Sequence, residues 1–234
     1  MEEMEHPAHT IFMQKSSSYR NTPPHSDVAR AIISLWCDPK FQSAYRRRHE
    51  YQLLDSTSYY ATNIERLIPL GSNMIGPSEY VPTNEDILRT CVKTCGISVS
   101  TLPFLGNKYR FLDLRGTRLE RKKWIHAWDA VSIVIFTIDT AAYSTSLWED
   151  EMVNRMQEQF ALFKSMINSP RFVKTNFIVA FTKIDLLDER LQLIPVGRYL
   201  LDYVHDDAKC TSPVECYMQY LEGLFRDQSC GRRW

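Results

Sequence analysis

The run from Lys108 to Asp139, KYRFLDLRGTRLERKKWIHAWDAVSIVIFTID, constrains the fold of this 234-residue chain more than any other stretch. Tyr109 to Leu112 reads as a short buried strand ending on Asp113. Val131 to Ile138 reads as a second strand, apolar and dense in β-branched residues, the pattern of strands covered on both faces. Between them, Leu119 to Asp129 sets Trp124, Ile125 and Trp128 among Glu120, Arg121, Lys122 and Lys123, which predicts a short amphipathic helix with a basic entry. Strand, Asp-x-x-Gly turn, helix and strand then make one crossover unit of a parallel sheet. An acid at the carboxyl end of such a strand, followed by a glycine, is where α/β folds place Mg²⁺ and phosphate. An Asp in a strand-to-helix turn also serves as a helix cap, and these residues alone leave both roles open.

Electrostatics narrow the partners. Lys plus Arg and Asp plus Glu both total 28, so no global pull toward nucleic acid or an anionic membrane is expected. The start MEEMEHPAHT is acidic where a signal peptide is basic, it lacks the Met-Gly of N-myristoylation, and no run approaches the ~18 apolar residues of a membrane helix. Cysteines 37, 91, 95, 210, 216 and 230 form no Cys-x-x-Cys pair of the kind that holds structural zinc, and read as reduced thiols of a cytoplasmic chain.

In chain order, residues 1–26 read as a polar, disordered leader, 27–88 as a helical unit and 89–234 as an α/β unit. The helical unit is expected to hold helices from a capping Asp27 through Trp36, over Phe41 to Gln52 and over Ser56 to Ile68, with Tyr51, Tyr59 and Tyr60 packed inside it. Thr83 is placed to cap Asn84 to Leu88, and Pro103 should end a strand from Ile97 or push it to an edge. Met152, Met156, Phe160, Phe163 and Ile167 mark the core face of a helix within Trp148 to Asn168. Asn176 to Phe181 is a third buried strand running into Thr182-Lys183-Ile184-Asp185, and Ser212 caps a last helix from Pro213 to about Asp227.

The ordered runs REYQLxDSxSYY, YxPTxxDxLRTxVKTxGI, ERKKWIH, EDExxNRMxE and TKxDL resemble those of heterotrimeric G protein α subunits, with ERKKWIH unchanged at Glu120 to His126 and the likeness running from about Asp27 to Gln228. The resemblance implies an α/β fold: a partial Ras-like parallel-sheet GTPase domain with part of an all-helical insertion domain. It further implies GTP/GDP and Mg²⁺ as ligands, and a βγ dimer, receptors and effectors as partners at the cytoplasmic face of the plasma membrane. By position it puts Lys93 and Thr94 in switch I, Thr94 and Asp113 on the Mg²⁺ side, and Gly116 at the γ-phosphate. Arg121 and Glu158 become the pair coupling switch II to the next helix, and Lys122, Lys123, Trp124 and His126 the helix that docks on the β subunit. Thr182, Lys183 and Asp185 fall on the guanine motif, usually Asn-Lys-x-Asp, whose Asp bonds the base while the Lys stem packs on its face.

Four departures bear on catalysis. Cys91 stands where the family carries its catalytic arginine and Thr117 where it carries the water-orienting glutamine, while Arg115 replaces the first glycine of switch II. No G-x-x-x-x-G-K-[ST] phosphate loop occurs in the sequence. The resemblance therefore implies a member of the family with GTP binding and hydrolysis impaired. Two other readings follow from the same residues: a nucleotide-independent module for the βγ dimer or effectors, and an incomplete gene product. A parallel sheet without its central strand is further expected to expose apolar surface and to be marginally stable.

Overall fold

The computed structural model describes residues 26–68, 80–92, 94, 96–128, 131–205 and 210–228. The chain divides into two compact units, Met1–Val92 and Lys93–Trp234.

In the first unit the described residues form helices and no strand. Helix α1 (Ser26–Trp36) carries Asp27 inside its first turn rather than as its cap. The expected long helices are broken. Asp38 caps α2 (Pro39–Arg46) by accepting the Lys40 and Phe41 N–H groups, and the chain then tightens into a 3₁₀ turn at Arg48–Glu50. The stretch read as one helix from Ser56 is two, α3 (Thr57–Thr62) and α4 (Ile64–Leu67), parted at Asn63, whose amide donates to the Tyr59 carbonyl at 2.8 Å. Helix α5 (Asn84–Arg89) begins in a capping box: Thr83 accepts the Asp86 N–H while the Asp86 carboxylate accepts the Thr83 N–H. Asp86 is buried, so that carboxylate needs further donors. Arg66 supplies two, at 2.6 and 2.8 Å, and the Tyr59 hydroxyl a third at 2.8 Å. These contacts hold the Asp86 carboxyl well below the ordinary range, the Arg66 hydrogen bonds contributing most. Tyr59 and Tyr60 thus join the Asp86 network, Tyr60 through the Asp86 carbonyl, whereas Tyr51, expected inside, is exposed.

In the second unit, β1 (Ile97–Phe104) and β2 (Asn107–Leu114) form an antiparallel hairpin, and β3 (Ile133–Asp139) and β4 (Asn176–Thr182) form a parallel pair. The expected crossover from the Tyr109 strand to the Val131 strand within one sheet is not made. Among the described residues no ladder joins β2 to β3: β2 pairs with β1 alone, and its Tyr109 and Phe111, expected to be buried, are exposed. Pro103 lies within β1 on an open edge, opposite Lys108.

Alternation along β3 fixes its core face. Phe136 and Ile138 are buried with Phe177 of β4 against helices α6 (Arg155–Ile167), α7 (Ile184–Leu193) and α8 (Pro213–Asp227), around Phe163, Leu187 and Phe225. Phe163 stacks edge-on to Phe136 and Phe225, with centroids 5.3 and 5.1 Å away. The opposite face is open, with Ile133 and Ile135 49% and 55% exposed and Ile178 likewise bare. The expectation of two-sided burial is therefore corrected: an apolar run alone does not reveal whether helices cover one face or both. The helix stripe also shortens. Asn154 caps α6 through the Met156 and Gln157 N–H groups, leaving Met152 outside the helix and 93% exposed. Cys210 and Cys216, read as reduced thiols, are joined by a disulfide, since the chain ahead of α8 folds back on its first turn and brings the two Cα atoms to 5.3 Å.

Phe163→Ala should cost about 3–5 kcal/mol in urea unfolding, against less than about 0.5 kcal/mol for Val173→Ala on the surface.

Candidate functional site

Two groups of side chains at strand ends carry the candidate chemistry. The first lies where the hairpin enters and leaves. Thr94 donates its hydroxyl to Asp113 Oδ2 at 3.2 Å. Asp113 stands inside β2, one residue before its end, and is exposed. Two oxygens that far apart fit adjacent positions around an octahedral Mg²⁺, whose neighbouring ligands sit about 2.9 Å from one another. A cation there would take its other ligands from water and phosphate, because no trio of His, Cys, Asp or Glu converges among the described residues. Lys93 and Cys95 lie outside those residues, and Cys91, an exposed thiol, belongs to the other unit.

Past β2 the chain enters a tight 3₁₀ run, Glu120–His126, in place of the expected α-helix. Trp124, whose ring the sequence leaves open between surface and interior, is 8% exposed, because its indole N–H donates to the Arg115 carbonyl at 2.9 Å and turns the ring inward. Lys122 and Lys123 stay on the surface, and of His126 only the backbone is described. Arg121 bridges two parts of the turn: Nε donates to the Gly116 carbonyl at 3.0 Å and Nη1 to Glu158 Oε1 at 2.6 Å. Arg118, which the sequence did not single out among its basic neighbours, adds a fork onto the same carboxylate at 2.6 and 3.2 Å and reaches Asp150 at 3.4 Å. Glu158 also sits in the first turn of α6, where the helix dipole favours an anion. With both guanidiniums in place, Arg118 foremost, its carboxyl is lowered to about 2.

The second group lies at the carboxyl end of the parallel pair. Register sets Asp139 opposite Thr182. Lys183 follows with φ 61°, a left-handed turn that feeds α7 and leaves Asp185 exposed in its first turn. Thr182 donates to the Ile138 carbonyl at 2.9 Å and Thr140 to the Thr182 carbonyl at 2.8 Å, so the two strand ends are laced together. Lys183 Nζ meets Asp139 Oδ2 at 2.7 Å. A crevice outside the carboxyl ends of parallel strands is where open α/β sheets take ligands, and Thr182, Lys183 and the exposed Asp185 follow one another at that end. The sequence signal for Asp139, an acid closing an apolar strand, equals the one that drew notice to Asp113.

The G-protein alpha subunit family model matches residues 2–231. That match begins earlier than the likeness from Asp27, so the leader lies within the matched span and largely outside the described residues. The guanine nucleotide-binding protein subunit alpha of Emericella nidulans is 42% identical over 199 residues, covering 85% of this chain and 54% of the relative. The guanine nucleotide-binding protein alpha-1 subunit of Neurospora crassa is 41% identical over 204 residues, covering 87% and 55%. The G-protein complex alpha subunit of Aspergillus fumigatus is 41% identical over 199 residues, covering 85% and 54%. The chain belongs to the G-protein alpha subunit family, and its fold is a partial Ras-like α/β domain with a small parallel sheet together with a helical part. It spans about half the length of the curated relatives it matches.

The sign of the Glu158 shift sets a pH window. A carboxyl depressed in the folded state contributes stability that is complete above its ordinary value of 4.5 and is lost as pH falls toward about 2. The stability gap between wild type and Glu158→Gln, measured in urea, should be flat above that upper limit and close progressively below it.

Proposed function

We propose that this chain acts in G-protein signalling as a recognition module: it retains contacts for a guanine base and for Mg²⁺, and its GTP hydrolysis is impaired. The observation that carries the reading is the contrast between two retained groups of residues and two altered positions. Thr94 lies 3.2 Å from Asp113, and Thr182, Lys183 and Asp185 gather at one strand end. Cys91 and Thr117 offer neither a fixed cation nor an amide. An arginine in cis contributes ~10³ or more to the rate in GTPases of this family, and a neutral thiol cannot supply that charge to the transferring phosphoryl group. Bound Mg²⁺ would neutralise phosphate charge, and Thr94 and Asp113 would hold it. Purified chain with Mg²⁺ and GTP is expected to release no phosphate above buffer and to bind GTPγS more weakly than micromolar. Turnover above buffer would end the impaired-hydrolysis reading.

A second reading, docking on a βγ dimer or an effector at the cytoplasmic face of the membrane, is favoured by the surface of the 3₁₀ run. Lys122 and Lys123 are exposed there beside Leu119 and Ile125, while Trp124 is turned inward and serves as an anchor for the run. Charged residues at the rim of an interface act chiefly on association rate and salt dependence. Replacing both lysines by glutamate should weaken capture of purified βγ dimer by roughly tenfold, with the loss shrinking as salt rises. Undiminished capture at low salt would reject this reading.

A further inference from the structure

Both oxygens of the Asp139 carboxylate at the end of β3 are engaged. Its Oδ1 accepts the Ala141 N–H at 3.1 Å and its Oδ2 holds Lys183 Nζ at 2.7 Å. Its own backbone N–H donates to Gln159 Oε1 at 2.8 Å, which ties the strand end to α6. The acid is therefore fixed from the backbone on one side and from a helix on the other. Lys183 starts from the end of β4, the neighbouring strand, and its side chain is 38% exposed against 18% for Asp139. With Cα anchored beyond one strand and Nζ anchored at the other, the aliphatic stem must bridge the gap of about 4.8 Å between strands.

We propose that Asp139 is a positioning residue for the base-recognition corner: it pins the Lys183 ammonium so that the lysine stem forms a preset apolar shelf beside the exposed carboxylate of Asp185. This rests on the reading above that the corner takes a guanine base. A free lysine loses rotamer freedom when a ring settles on it, a loss of about 0.5–1.5 kcal/mol per immobilised side chain, or about 2- to 12-fold in affinity. A lysine already held by Asp139 avoids that loss. The ion pair also keeps the ammonium off the face of the ring and turned toward the sheet, so the corner favours the flat, donor-rich edge of guanine over an anionic group.

Two readouts on the full chain test this. In trace acetylation followed by peptide mass spectrometry, wild-type Lys183 should label more slowly than the exposed Lys122. Asp139→Ala and the near-isosteric Asp139→Asn should raise Lys183 labelling several-fold, and Asp139→Glu should restore protection. In fluorescence titration with mant-GMP, with mant-AMP as control, Asp139→Ala and Asp139→Asn should weaken guanine binding by about 2- to 12-fold, and Asp139→Glu should recover it. Labelling of Lys183 that does not change in either variant overturns the clamp. Labelling that rises while mant-GMP affinity stays level overturns the positioning role. A wild-type chain that binds mant-GMP no better than mant-AMP, with labelling still rising in the variants, overturns the base-site reading and the positioning role with it, leaving only an ion pair.

Discussion

The parallel register of β3 with β4 is the constraint on which the rest of the second unit depends. It puts Phe136, Ile138 and Phe177 on one face, where α6, α7 and α8 close over them. It also brings the two carboxyl ends level, Asp139 against Thr182, so that the next residue turns left-handed and starts α7. A slip of one residue would send Phe136 and Ile138 to the bare face occupied by Ile133 and Ile135, and would part Asp139 from Lys183. Core and candidate base corner are thus two results of one pairing. Because hydrophobic burial is confined to one face, the pair depends heavily on the aromatic cluster around Phe163.

Around the 3₁₀ run the determining force is charge. One carboxylate, Glu158, receives both Arg118 and Arg121, and the same Arg121 reaches back to the Gly116 carbonyl while Trp124 reaches the Arg115 carbonyl. The turn after β2 is consequently fastened at both its backbone and its side chains. Fastening by Glu158 is strong because three favourable influences coincide there, two guanidiniums and a helix N-terminus, while the carboxylate is largely withdrawn from water. The turn held this way carries Lys122 and Lys123 on its exposed side.

What the sequence revealed and what it withheld divide along physical lines. Local chemistry was legible: Thr83 with Asp86, and Ser212 before Pro213, carry their caps in the residues themselves. So were the apolar strands and the Phe163 stripe. Pairing between distant strands was not. The β1–β2 hairpin turns on Leu105 and Gly106, both at positive φ, and a leucine occupies the place where Asn, Asp or Gly would have announced the turn. Without that signal the sequence alone places the Tyr109 strand in the sheet of Val131. The Trp124 ring was likewise undecidable from spacing, since its direction is set by one hydrogen bond to Arg115, and the Cys210–Cys216 bond by a chain reversal that composition does not encode. In the candidate site, the family likeness marked Lys183 and Asp185 but not Asp139, whose part depends on which strand stands beside β4.

On the proposed reading, the same division separates recognition from chemistry. The groups at the strand ends are positioned by the sheet register without further help, so Thr182, Lys183 and Asp139 come together once β3 and β4 pair. Catalysis asks more, because only interactions that strengthen as charge shifts in the transition state accelerate a reaction. On the proposed reading, those interactions would come from positions 91 and 117, which the β3–β4 pairing does not build. A thiol and a short hydroxyl there leave the fold and the strand-end contacts intact, and they remove the cation and the amide on which hydrolysis would depend.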